Sequence, residues 1–483
     1  MGWPADDSRV GTINKVTGLC AVLLPIVFLW TDVQIAQKRL VWYDEIGTLD
    51  LVKLPDLATF WQVQNSFRGD SAPALYVLLA RISYILGGHA DIAVRVMSAL
   101  ALIAALLIVF DCARRLSDGL HGLIALCIMA TSFVTYYGYE GRSYTLAVLF
   151  TAVALWIWVH TSAHSKAGAA AFGAAIFAAV SMHFNSVLAM VPFGLWEVYR
   201  WRPWQRPSPK FVAGVIGLLC AVAIAARQVS IMSRVGPPSA SSWSSPTVPA
   251  LFNVLPQMFP AGLFLLAAVM ILRCFMWGTG KPMANAEKVC WLFLTIPLAG
   301  FALAELVTKS FCDRYLITTL PGVAVGFACL VNRQLNRLAA IGLVLFLSVL
   351  AVGRQVRDLR SADKLEPPSA PFQQRETRQS LAVEDDLLKD GKRHVVAEHT
   401  VVRALQYYSK HPEMYVSYGP NDAPYFCQFL GDACWGPDMV KTHATEVASV
   451  YPTDSLLTMM TEAGFQTTIK RMKPLVVYFS PKQ

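Results

Sequence analysis

The sequence predicts an all-α polytopic membrane fold of about 11 transmembrane helices. Interfacial helices are expected in the first outer loop, and a small α/β domain outside the membrane at the C-terminal end. Three observations carry this expectation. Of 483 residues, 55% are hydrophobic and 15% charged, with a positive mean hydropathy, which is not the balance of a soluble domain. Apolar runs recur along most of the chain. Lys and Arg collect in alternate short loops, as cytoplasmic loops require.

The runs lie near 14–31, 93–112, 120–137, 144–160, 168–184, 186–199, 211–229, 260–277, 289–307, 315–331 and 338–353. They are read against the roughly 20 apolar residues that span a bilayer core. The stretch "APALYVLLARISYILGG" at 72–88 is short and has Arg81 at its middle, so it is expected to lie at the interface. With a cytoplasmic N-terminus, the inner loops hold Arg114 and Arg115, Lys166, then Arg200, Arg202, Arg206 and Lys210, then Lys281 and Lys288, then Arg333 and Arg337. Counting 72–88 as a span would reverse this bias in every later loop. The protein is therefore expected in the cell (inner) membrane as a multi-pass chain, with its C-terminal part on the periplasmic or extracytoplasmic side.

Residues 1–353 read as the membrane domain and 354–483 as a soluble α/β domain, joined through the turn-rich "KLEPPSAPF". In the tail, "HVVAEHTVVRALQYYSK" reads as strand, turn and helix, and "PLVVYFSPK" as a final strand. The tail has no glycine-rich phosphate loop and no metal-ligand spacing. Most of the 10 cysteines, such as Cys20, Cys127, Cys220, Cys290 and Cys329, lie in apolar spans as small hydrophobes. Cys427 and Cys434 are close in sequence and face an oxidising compartment, where a bridge is expected.

This topology puts several polar residues on one, non-cytoplasmic, face. They are Asp44 and Glu45 in "WYDE", Asp70, Glu140, Arg142 and Tyr144 in "YYGYEGRSY", His183 in "SMHFN", and Asp313 and Arg314 in "SFCDRY". Charges at span ends mark a substrate path or a paired structural site. Each residue has a structural alternative. Asp44 and Glu45 suit a helix N-terminus, Glu140 and Arg142 a local surface pair, His183 a helix end, and Arg314 a partner for Asp313. An outward arginine also suits a lipid phosphate, because its planar fork holds two phosphate oxygens.

In order along the chain come "WYDE", "APALYVLLARISYILGGHADIAVRVMSAL", "ARRLSDG", "YEGRSYTLAVLF", "MHFNSVLAMVPF" and "DRYLITTLPGVAVGFACL". This ordered set, over roughly residues 10 to 350, resembles the C-type membrane glycosyltransferases (glycosyltransferase family 39-like), in the branch of the protein O-mannosyltransferases and lipid A aminoarabinose transferases. The resemblance implies transfer of a sugar from a polyprenyl-phosphate carrier to a lipid, glycan or protein acceptor outside the cytoplasmic membrane. It further implies Asp44 as catalytic base with Glu45 beside it, Glu140 as a second acid, and Asp70, Tyr76, Arg142, Tyr144, His183 and Arg314 as carrier- or substrate-binding residues. One departure stands out. Relatives carry an "HPPLYY"-like element where this chain has "SAPALY", so Ala72 replaces a histidine and Ala74 a proline, with Asp70 and Ser71 as partial substitutes.

The physical account runs parallel. A hydroxyl acceptor needs a carboxylate to take its proton as the glycosidic bond forms. The growing charge on the phosphate leaving group needs Arg142 and Arg314, or a bound divalent metal ion, whose use the acid and histidine spacing leaves open. Direct displacement needs one base and inverts the anomeric centre.

A secondary transporter would show related halves and charges along its spans; the charges collect at one face instead. A non-catalytic scaffold would tolerate loss of Asp44 and Glu140. The net charge of +9 is largely inner-loop Lys and Arg that meet membrane lipids, and no basic motif suggests nucleic acid.

Overall fold

The computed structural model describes residues 7–65, 72–201, 206–234, 244–259, 283–366, 373–397, 399–418 and 434–482. Two compact units result, one of Met1–Gln37 and Ser71–Arg360, the other of Lys38–Asp70 and Ser361–Gln483. The loop after the first span thus folds with the C-terminal domain and not with the spans beside it in sequence.

The first unit is helical. Among the described residues six helices are long and apolar enough to cross a membrane, or seven if Gly119–Thr131 and Phe133–Tyr139 form one bent span. Shorter apolar helices run over Ala74–Gly87, Tyr144–His160 and Lys166–Met182. The run 260–277 lies outside the described residues; the other runs all coincide with helical segments. Burial sorts them. Every residue of Gly119–Thr131 is buried, whereas Asp7–Lys38 and Arg337–Arg360 expose apolar side chains such as Leu19, Trp30, Leu338 and Val349. Exposed leucines on a long, predominantly apolar helix need a lipid solvent. The chain is a multi-pass membrane protein.

Several runs that read as single spans are segmented. The run 120–137 breaks at Ser132, where the helix Gly119–Thr131 bends by 69° into a 3-10 helix at Phe133–Tyr139. Two further 3-10 helices, Phe184–Met190 and Asp313–Thr319, open the runs 186–199 and 315–331. Each is seven residues long, beyond the usual three or four. A break inside a membrane frees backbone carbonyls that must find donors. Arg354 supplies them, donating from Nη1 to the carbonyl of Ser132 at 2.8 Å and to that of Thr131 at 3.4 Å. The entry of the helix at Gly119 is set by Asp118, whose carboxylate accepts from the backbone of His121 at 3.1 Å and meets its Nδ1 at 2.7 Å. The His121 bond holds the Asp118 pKa down to about 2.

The second unit contains one six-stranded sheet. Its strands are β1 His394–Ala397, β2 Tyr415–Tyr418, β3 Cys434–Trp435, β4 Val447–Val450, β5 Phe465–Met472 and β6 Leu475–Pro481, in the order β3-β2-β1-β4-β6-β5. β1 pairs in parallel with β2 and β4, while β6 lies antiparallel to β4 and β5. The strand, helix and last strand expected from the sequence are β1, His399–Tyr408 and β6. Val395, Leu405, Tyr415 and Val450 belong to one buried cluster, and Val396, Val416, Trp435 and Phe479 to another. Alternating neighbours of one strand thus enter different cores, the period-two signature of a sheet covered on both faces. Cys434 is disulfide-bonded; Cys427 lies outside the described residues. Cys312 is free.

Candidate active site

In the membrane unit the short segment between Tyr139 and Tyr144 carries Glu140 and Arg142, 0% and 6% exposed. It is fixed from two sides. The buried Tyr76 donates its hydroxyl to the carbonyl of Gly141 at 2.7 Å, and Ser98 donates to the carbonyl of Arg142 at 3.1 Å. Within the segment, the Arg142 amide donates to the Glu140 carbonyl at 2.8 Å. Tyr76 thus helps hold the turn that carries the acid and the arginine. Replacing Tyr76 by Phe leaves the Gly141 carbonyl without this donor, at a cost of roughly 1–3 kcal/mol. The expected result is a lower thermal midpoint in detergent together with weaker transfer; a variant equal to wild type in both sinks this role.

The three 3-10 helices meet at this end of the unit. Residues three apart eclipse in a 3-10 helix, and Tyr136 stacks edge-on to Tyr139 with ring centroids 5.3 Å apart. From Tyr137 an aromatic run continues to Tyr144 at 4.5 Å, from Tyr144 to His183 at 5.1 Å, and from His183 to Tyr315 at 5.8 Å. The Arg314 guanidinium lies 5.6 Å from the Tyr315 ring centroid. Glu140 and Arg142 lie between Tyr139 and Tyr144, beside this run. Five of the sequence candidates, Glu140, Arg142, Tyr144, His183 and Arg314, therefore gather in one cluster, with Tyr76 in its support. The carboxylate of Asp313 accepts from the backbone amide of Arg314 at 2.7 Å.

Tyr136, Tyr137 and Tyr139 are buried. They pack against one another beside the Glu140–Arg142 segment. Below them lies a polar layer that sequence reasoning missed. The buried Asp32 accepts from Gln355 Nε2 at 3.2 Å, Thr31 donates to Gln355 Oε1 at 3.2 Å, and Tyr139 donates to Asp358 at 3.4 Å. Gly138 is required there: a Cβ on it would lie 2.4 Å from Asp32 Oδ2 and 2.7 Å from Leu102 Cδ2. A single Asp inside an apolar run was the only available signal.

Asp44 and Glu45 belong to the second unit. They sit in the first turn of the helix Tyr43–Val52, where negative charge suits the helix dipole. Glu45, 1% exposed, accepts from the Trp42 amide at 3.2 Å and faces Arg39 Nη1 at 3.6 Å. Its carboxylate thus has a structural task. Asp44 is half-exposed. Asp70 lies outside the described residues. At the departure from the expected "HPPLYY" pattern, Ala72 is buried and its carbonyl accepts from Gln228 Nε2 at 2.7 Å. Among the described residues no group of three or more His, Cys, Asp or Glu is placed to hold a metal ion.

Residues 71–226 match the family model of dolichyl-phosphate-mannose-protein mannosyltransferases. That stretch includes Tyr76, Glu140, Arg142, Tyr144 and His183. No curated protein sequence matches the chain. Among solved structures the chain is similar to apo ArnT from Cupriavidus metallidurans, with 13% identity and a TM-score of 0.62 over 96% of this chain and 98% of that one. The chain has the fold of the C-type membrane glycosyltransferases. This glycosyltransferase fold also matches the same ArnT bound to undecaprenyl phosphate, at 11% identity and a TM-score of 0.60 over 95% of this chain and 97% of that one. A third match is the arabinofuranosyltransferase AftD from mycobacteria, at 14% identity and a TM-score of 0.50, covering 96% of this chain and 40% of that one.

Proposed function

We propose that this glycosyltransferase takes a sugar from a polyprenyl-phosphate donor and passes it, with inversion, to an acceptor on the extracytoplasmic side. The observation that carries this reading is the cluster of Arg142, Arg314, His183 and tyrosine rings on and beside three 3-10 helices, within a fold shared with an undecaprenyl-phosphate-bound relative. A lipid phosphate gains negative charge as its sugar departs. Preorganised guanidinium groups in a site with little water stabilise that charge more than water can. Tyrosine rings supply a rigid apolar wall with hydroxyl donors. Asp44, half-exposed at a helix N-terminus, takes the acceptor proton as general base, while Glu45 holds the helix start. Glu140 counters the arginines and orients them. Residues 1–353, less the loop 38–70 that folds with the tail, form the membrane domain, and 354–483 the extracytoplasmic domain.

A divalent ion is a second way to neutralise the phosphate. The described residues do not assemble a site for one, so no step is routed through it. The test is transfer from a panel of radiolabelled polyprenyl-phosphate sugars in membranes carrying the chain. Transfer from one donor is expected, and its survival in EDTA assigns leaving-group stabilisation to the arginines. Loss in EDTA that one divalent cation restores moves that role to a metal. No transfer from any donor overturns the reading.

A further inference from the structure

The helix that carries Asp44 is held by the C-terminal domain, from the opposite end of the sequence. Just before it, the Leu40 carbonyl accepts from Gln374 Nε2 at 2.8 Å, and the Val41 amide donates to the Tyr408 hydroxyl at 2.7 Å. At its far end, Asp50 pairs with Arg403 at 2.7 Å, and Lys53 Nζ donates to the Tyr407 hydroxyl at 3.0 Å. Between these ties the Arg403 guanidinium lies 5.4 Å from the ring centroid of Tyr43, the residue before Asp44. The partners Arg403, Tyr407 and Tyr408 all lie on His399–Tyr408, the helix that follows β1 and buries Val402 and Leu405 against the sheet. Four such contacts, placed before and after Asp44, fix both its position and its rotation.

We propose that the C-terminal sheet domain is a positioning element of the transfer reaction, with Arg403, Tyr408 and Gln374 fixing the helix that presents Asp44. The inference rests on the reading of Asp44 as general base. A base must sit within hydrogen-bond reach of the proton it takes, and a displacement near 1 Å costs on the order of 100-fold in rate. Sheet and base are therefore coupled through a helix pair, and the domain contributes to turnover without touching substrate.

The experiment uses the full chain in membranes. It compares wild type, Arg403→Glu, the swapped pair Asp50→Arg with Arg403→Glu, Tyr408→Phe, and Arg403→Glu in an Asp44→Asn background. Arg403→Glu is expected to lower kcat about tenfold or more with the donor KM unchanged. The swap restores most of that loss. Tyr408→Phe, a milder change that keeps the ring, lowers kcat in the same direction. In the Asp44→Asn background Arg403→Glu has no further effect, because there is no base left to misplace. Wild-type kcat in both Arg403→Glu and Tyr408→Phe overturns the inference. So does a loss that the swap fails to restore and that persists at full size on top of Asp44→Asn, since that marks a merely structural role. Full transfer by Asp44→Asn alone overturns the assignment of the base itself, whatever Arg403 does.

Discussion

Replacing Asp44 by Asn lowers kcat for sugar transfer by roughly 100- to 10,000-fold, the range that a general base contributes. The substitution keeps the side chain's size and its place in the first turn of Tyr43–Val52, and Asp44 is half-exposed, so expression and folding should hold. What disappears is the acceptor for the hydroxyl proton. The donor KM should change little, because the proposed function assigns the phosphate to the arginines of the membrane unit and not to Asp44. Measurement of kcat and KM with one donor decides it. Transfer equal to wild type would remove Asp44 from the chemistry and leave Glu140 as the next acid to test.

Gly217→Ala is expected to unseat the helix that ends in His183. A Cβ at position 217 would lie 2.1 Å from the carbonyl oxygen of Gly173, and one at 173 would lie 2.6 Å from that of Ala213. The helices Lys166–Met182 and Pro209–Arg234 therefore pack backbone to backbone, in the way small residues allow inside membranes. The obstacle is main chain, so no rotamer change relieves it, and the helices must separate. Overpacking of this kind costs about 1–3 kcal/mol. The shift propagates to His183, the residue that caps Lys166–Met182, and hence to the aromatic run with Tyr144 and Tyr315. The check is the thermal midpoint and the transfer rate of the purified protein, with Gly342→Ala as control because nothing lies within 4 Å of a Cβ there. The control should be neutral or slightly stabilising, as Ala is the better helix former. A Gly217→Ala protein as stable and active as the control would show that the helices are free to part.

The membrane class, the order of the helices and the α/β nature of the tail were all legible in the sequence. They depend on local chemistry: apolar run length against bilayer thickness, and alternation of side chains in β1 and β6. Glu140, Arg142, Tyr144, His183 and Arg314 were legible as candidates because polar residues at the ends of apolar runs are costly and therefore informative. Other features were not. The bend at Ser132 follows from Arg354, more than 200 residues away, supplying donors to the freed carbonyls. Asp32 reads as an isolated acid in an apolar run until Gln355 and Gly138 are seen beside it.

What the sequence by itself determined is which segments are apolar enough for a membrane. Transfer free energies are nearly additive along the chain, so such runs can be found one by one. What only the tertiary structure decided is partnership. It joined Tyr76 to the Gly141 carbonyl, ranged His183 between Tyr144 and Tyr315, and placed the helix of Asp44 with Arg403 and Tyr408 of the C-terminal domain. Hydrogen bonds and ring contacts depend on distances of a few ångströms between groups hundreds of residues apart. No local pattern in the chain records such distances; they exist only once the helices have packed.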